Sequence, residues 1–144
     1  MEIVELHKIT VDEAVEVISL MYQLNPDIPV TPEMVRRSVE APGTHFFALR
    51  DGSKIVGCAS LCVFDSPTGR KAHVEDVVVA SACRGKGLGR RLLEHLLAFA
   101  RTHLGPADIF LTSRPQRVAA NELYRSLGFR QKDTNVYTLK INTA

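Results

Sequence analysis

The chain has 144 residues, enough for one domain with its own hydrophobic core. Hydrophobic residues make up 45% and charged residues 24%, which excludes wholesale disorder, and no Gly-X-Y repeat suggests collagen. With 18 Lys and Arg against 16 Asp and Glu, the net charge of +2 is too small for a dedicated nucleic-acid binder with a strongly basic face.

The first residues, Met1-Glu2-Ile3-Val4-Glu5-Leu6, carry no basic start followed by an apolar run, so no secretory signal is expected. Residues 2–7 alternate loosely and suit an edge strand. Thr10-Val11-Asp12-Glu13 reads as a capping box, with Val11, Ala14, Val15, Ile18, Met21 and Tyr22 as the apolar face of the helix that follows. Asn25-Pro26 stops it. Thr31-Pro32 starts a second helix, ended by Ala41-Pro42-Gly43. The period then changes. His45 to Arg50, Ile55 to Phe64 and Ala72 to Val79 read as three antiparallel strands, joined by Asp51-Gly52 and by Asp65-Ser66-Pro67-Thr68-Gly69, with Gly57 at a bulge.

Residues 87–104 form a helix with a wide leucine stripe, closed by Gly105-Pro106. Ala107 to Leu111 is a strand, Val118 to Leu127 a helix closed by Gly128, and Val136 to Ile141 an alternating last strand. This order predicts an α/β (α+β) chain with a mixed sheet flanked by helices. No stretch approaches the roughly 20 apolar residues of a membrane helix. Cys58, Cys62 and Cys83 are odd in number and lack CxxC spacing, so reduced thiols, no metal site and a cytoplasmic protein with no membrane or nucleic-acid partner are expected.

The chemistry is concentrated where the strand ending in Val77-Val78-Val79 runs into Arg84-Gly85-Lys86-Gly87-Leu88-Gly89-Arg90-Arg91. A glycine-rich turn that opens a helix offers unpaired N–H groups and a positive dipole end to an anion. Arg84, Lys86, Arg90 and Arg91 add charge of the right sign for a pyrophosphate. A Walker A loop would need Ser or Thr after the lysine, and the dinucleotide fingerprint needs another glycine spacing. A tight turn with a solvated basic face is the bland alternative.

Arg84-Gly85-Lys86-Gly87-Leu88-Gly89 resembles the Arg/Gln-x-x-Gly-x-Gly/Ala motif of the GNAT superfamily of acetyl-CoA-dependent N-acetyltransferases. Ala119-Ala120-Asn121-Glu122-Leu123-Tyr124-Arg125-Ser126-Leu127-Gly128-Phe129 is similar to the family's Ala-x-x-Leu-Tyr-x-x-x-Gly-Phe segment. The resemblance runs from about residue 3 to 141. It implies one N-acetyltransferase domain over 1–144, a sheet of about six to seven strands with a V-shaped splay after the fourth, acetyl-CoA as cosubstrate, a primary amine as acceptor, and a homodimer. It implies that the backbone of Val77, Val78 and Val79 pairs with the pantetheine arm. Residues 84–89, Leu88 among them, would hold the pyrophosphate, with Arg84 and Lys86 as side-chain supports and Arg90 next to the segment on the coenzyme. Asn121 would bond the coenzyme, or else be a solvated helix residue. Tyr124 would protonate the leaving thiolate; its other reading is a packed aromatic.

The attacking amine must lose a proton, and Glu75 or His73 on the strand before the valines is the expected acceptor, with a water chain as rival. Both are read as sharing a face with Val77 and Val79. Arg117 stands where many relatives have Asn, in a basic segment, Ser113 to Arg117, that suits an anionic group or plain solvent. Cys83 lies on the loop ahead of the turn, so direct attack is expected over an acyl-enzyme. A non-catalytic acyl-CoA-binding module of the same fold is the alternative function. Acceptor choice is expected to lie in residues 20–45, 113–117 and 131–136.

Overall fold

Local sequence signals set the first helices. The structure, a computed structural model, describes residues 1–142. Thr143 and Ala144, the end of the expected domain, lie outside the described residues. Two compact units are found, Met1–Thr112 and Ser113–Ala144.

The first unit runs β1 (Glu2–Leu6), α1 (Val11–Leu24), α2 (Pro32–Glu40), β2 (Thr44–Asp51), β3 (Lys54–Ser66), β4 (Gly69–Val79), a 3₁₀ turn at Ser81–Cys83, α3 (Leu88–His103) and β5 (Asp108–Phe110). The capping box forms as read: Thr10 Oγ1 accepts from the Glu13 N–H at 3.1 Å, and the Thr10 N–H donates to Glu13 Oε1 at 2.9 Å. The Glu13 carboxylate also meets the Arg50 guanidinium of β2. The Thr10 N–H first, and Arg50 next, hold the Glu13 carboxyl below its usual range. Thr31 caps α2 by accepting from the Met34 N–H at 3.2 Å, with Pro32 in the first turn.

The apolar face of α1 is only partly the one expected: Ala14 is buried and Ile18 and Met21 pack against the core as read. Val11, Val15 and Tyr22 are exposed, and Ala14, Val17 and Leu20 are buried. The helix carries overlapping apolar stripes, and contact with the sheet and α2 selects the one through Ala14 and Val17.

Among the described residues the sheet has five strands in the order β1-β2-β3-β4-β5, not six to seven, antiparallel throughout except for the parallel β4–β5 pair. The strand expected at Val136–Ile141 does not form. Val136, Tyr137, Leu139 and Ile141 are 74%, 87%, 87% and 82% exposed. Alternation gives a segment two faces but supplies no neighbour to pair with, and register is set by burial that this segment lacks.

Even-numbered β2 residues, Phe46 and Ala48, face α1 and α2 with Cys58 and Val78. On the other face Phe47 packs edge-on to His95 and Phe99 of α3, whose Leu92, Leu93 and Leu96 are fully buried. Two register shifts re-aim side chains. One lies between the Leu49–Gly57 and Arg50–Ile55 pairs, beside the glycine read as a bulge. The other lies in β4: Ser60 pairs with Glu75 and Cys58 with Val78, so Asp76 and Val77 together oppose Ala59.

In the second unit α4 (Val118–Ser126) ends on Gly128, φ 101°, where the Phe129 N–H donates to Tyr124 O at 3.1 Å. No helix among the described residues is long and apolar enough to cross a membrane.

Candidate functional site

The glycine-rich turn is held firmly at its start. The Ala80 N–H donates to Val56 O at 2.8 Å, the Ser81 N–H to Gln23 Oε1 at 2.9 Å, and the Cys83 N–H to Ala80 O at 2.8 Å. The Arg84 N–H reaches Ser81 O at 3.4 Å, and beyond it the pattern stops. Among the described residues the N–H groups of Gly85, Lys86, Gly87, Leu88 and Gly89 donate to no protein acceptor. Gly85 and Gly87 lie at φ 82° and 73°, the left-handed region that glycine enters freely. A Cβ at 85, 87 or 89 would meet nothing within 4 Å, so open space lies over the turn. A row of donors under open space at the start of a 16-residue helix fits a diphosphate in charge and in room.

The basic side chains are divided. Arg84 Nε donates to Val79 O at 3.1 Å, so its guanidinium folds back on the end of β4. Arg91 donates to Met1 O at 3.3 Å, and Arg90 pairs with Glu94 at 3.5 Å. Lys86 makes no hydrogen bond or ion pair among the described residues.

The parallel ladder between β4 and β5 covers Lys71–Asp108, Ala72–Ile109 and His73–Phe110. From Val74 to Val79, β4 has β3 on one side and no strand on the other among the described residues. Val77, Val78 and Val79 lie in that stretch.

The acids are arranged differently from the reading by period two. Strand partners point to the same face, so Glu75, paired with Ser60, shares its face with Val78, not with Val77 and Val79. His73 is stacked between Phe64 and Phe110, ring centroids 6.0 Å and 5.5 Å away. Asp76 has φ 53°, a conformation that Asp tolerates better than most residues and that marks the bulge. Burial pushes the Asp76 carboxyl above its usual range. Burial, and then the Asp76 charge, does the same to Glu75, with His73 opposing.

Asp76 also lines a pocket of about 170 Å³ bounded by α1, the α1–α2 loop, α2 and the sheet. Met21, Ile28, Met34 and Phe46 give it apolar walls, and the buried Ser60 adds a hydroxyl. Sequence reasoning passed over Asp76 as a site residue. The available signal was a β-disfavoured Asp inside a valine-rich strand, at a place where αL tolerance matters.

In the second unit Tyr124 is buried on α4, its ring edge-on to Phe129 with centroids 6.2 Å apart. Asn121 Nδ2 donates to Arg114 O at 3.0 Å, which ties the turn before α4 to the helix. Arg117 is the N-cap residue of α4 and makes no side-chain cap. Among the described residues no group of three or more His, Cys, Asp or Glu is placed to hold a metal ion.

The model of the acetyltransferase (GNAT) family matches residues 9–129. The chain is 34% identical over 105 residues to the N-alpha-acetyltransferase RimI of Mycobacterium tuberculosis, covering 73% of this chain and 64% of that protein. It is thus matched to less than two thirds of that relative's length. It is 31% identical over 129 residues to glucosamine 6-phosphate N-acetyltransferase 1 of Oryza sativa subsp. japonica, covering 83% of this chain and 76% of that protein. The crystal structure of ribosomal-protein-alanine N-acetyltransferase from Brucella melitensis shares the fold, with a TM-score of 0.76 at 19% identity over 98% of this chain and 100% of that one.

Proposed function

The chain belongs to the acetyltransferase (GNAT) family, and on that premise we propose that it transfers an acetyl group from acetyl-CoA to a primary amine by direct attack. The observation that carries the reading is the row of unpaired N–H groups from Gly85 to Gly89, immediately after a strand whose outer edge is open. On this reading that row binds the coenzyme pyrophosphate. Lys86 adds charge, and Arg84 supports the turn from its bond to Val79. The edge of Val77–Val79 is aligned with the pantetheine amides where the fourth and fifth strands diverge as a V. The backbone N–H near Val78 stabilises the oxyanion as it forms. The three free cysteines support a reducing compartment such as the cytoplasm.

The bonds balance as follows. The amine nitrogen forms a C–N bond to the thioester carbonyl, the C–S bond breaks, and the products are an amide and a free thiol. The nitrogen gives up one proton and the sulfur takes one. Tyr124 supplies the sulfur's proton from its phenol hydroxyl. The Glu75–Asp76 pair takes the proton from nitrogen, directly or through water. His73, stacked between two aromatic rings, helps position Glu75.

The sign of the pH dependence follows from the raised carboxyls. An acid with a raised pKa is protonated, and useless as a base, to a higher pH than usual. Log kcat/KM is therefore expected to rise with pH through that raised, shared titration and then level off. Glu75→Gln or Asp76→Asn should lower kcat/KM by about 10–10³-fold and move or remove the limb. Stability runs the other way. A folded-state pKa above the unfolded value means stability is fully present below the unfolded value and is lost as pH rises through the folded one. Asp76→Asn should therefore melt no lower than the parent protein at pH 7. Variants of Glu75, Asp76 and His73 that all keep the parental limb and rate would move proton removal to solvent.

A further inference from the structure

The pocket beside the β4 bulge bears on the acceptor, and the inference from it rests on the transferase reading above. Its walls are apolar, from Met21, Leu24, Ile28, Met34 and Phe46. Among the described residues Asp76 is the one ionisable residue that lines it, and no Lys or Arg does. Three neutral polar residues, Asn25, Ser38 and the buried Ser60, complete the lining. An apolar cavity of roughly 150 Å³ takes up a benzene ring, and this one measures about 170 Å³. We infer that the acceptor is a monocationic primary amine carried on one aromatic ring or a short branched alkyl group, with the apolar part in this pocket and the ammonium toward Asp76.

Charge excludes the phosphorylated amino sugars as the natural fit. A phosphate dianion needs cationic partners, and here it would meet the Asp76 carboxylate with only the neutral Asn25, Ser38 and Ser60 as polar neighbours. A small polar amine would leave the walls uncovered and gain nothing from them. The nearest acid is held by the backbone bulge, so its position does not depend on a long side chain finding a rotamer.

The test compares kcat/KM for 2-phenylethylamine, ethylamine and glucosamine 6-phosphate by release of free thiol from acetyl-CoA. The expected result is a preference for 2-phenylethylamine of at least about tenfold over each, the scale of burying one ring. Ile28 is 49% exposed at the pocket rim, so Ile28→Trp narrows the pocket without touching the core. That variant should cut the preference to below about threefold, through KM, with acetyl-CoA affinity unchanged. Thiol release with equal or reversed preference overturns the pocket inference and leaves the transferase reading standing. Absence of thiol release with every amine overturns the transferase reading instead. The pocket is then judged by binding alone: 2-phenylethylammonium should shift the Met21 and Met34 methyl signals in the parent protein and not in Ile28→Trp, and no shift in the parent overturns it.

Discussion

Gly87→Val is expected to lower acetyl-CoA affinity by about 10²–10⁴-fold while the protein stays folded. The size follows from losing about two charge-assisted hydrogen bonds, worth about 1.5–3 kcal/mol each, at 1.4 kcal/mol per tenfold. Gly87 sits at φ 73° as the N-cap residue of α3, with open space above its Cα. A valine there adds two methyl groups in the volume assigned to the diphosphate and strains the backbone. That strain is about 1–3 kcal/mol, against a typical stability of about 5–15 kcal/mol. Gly105 separates the two effects. It has φ 68°, also with nothing within 4 Å of an added Cβ, but follows the far end of α3. Gly105→Val should lose similar stability and keep its affinity. Calorimetric titration of both variants checks this, and equal affinities would remove the turn from the binding site.

Tyr124→Phe is expected to lower kcat by about 10²–10³-fold, the lower part of the range for general-acid catalysis, because a thiolate leaves fairly readily. The ring is buried and edge-on to Phe129, and phenylalanine keeps both features. KM for acetyl-CoA and the melting temperature should therefore stay close to those of the parent. A purely packing role would leave kcat within about twofold as well, since phenylalanine keeps the packing. Mixing the variant with an acyl donor whose thiol leaves more easily should recover part of the loss, since a better leaving group needs less protonation.

Local chemistry made much of the fold readable. The Thr10–Glu13 box, Pro32 after Thr31, Asp51-Gly52 and Gly128 each act within a few residues, and each is where it was expected. The glycine-rich turn was readable for the same reason, since positive φ and a helix start are local demands. What failed was non-local. Which stripe of α1 is buried depends on the sheet and α2, so Val11, Val15 and Tyr22 could not be excluded from the residue pattern. The alternation of Val136–Ile141 named two faces but no partner strand. The β4 bulge inserts one residue opposite Ala59, which reverses every face assignment beyond it. That single residue moved Glu75 away from the face of Val77 and brought Asp76 to the pocket, so the strand faces were not legible from alternation alone. Arg84 likewise carries the right charge, but its bond to Val79 O follows from the turn's closure and not from spacing.

Acetyl transfer itself is tested most directly by incubating the purified chain with acetyl-CoA, with and without a panel of primary amines, and following both free thiol and product mass. The account predicts thiol release that depends on added amine, matched mole for mole by an amine 42 Da heavier, roughly the mass of an acetyl group replacing a proton, and suppressed in Gly87→Val. Tight acetyl-CoA binding with no amine-dependent thiol release would contradict it and leave a coenzyme-binding module.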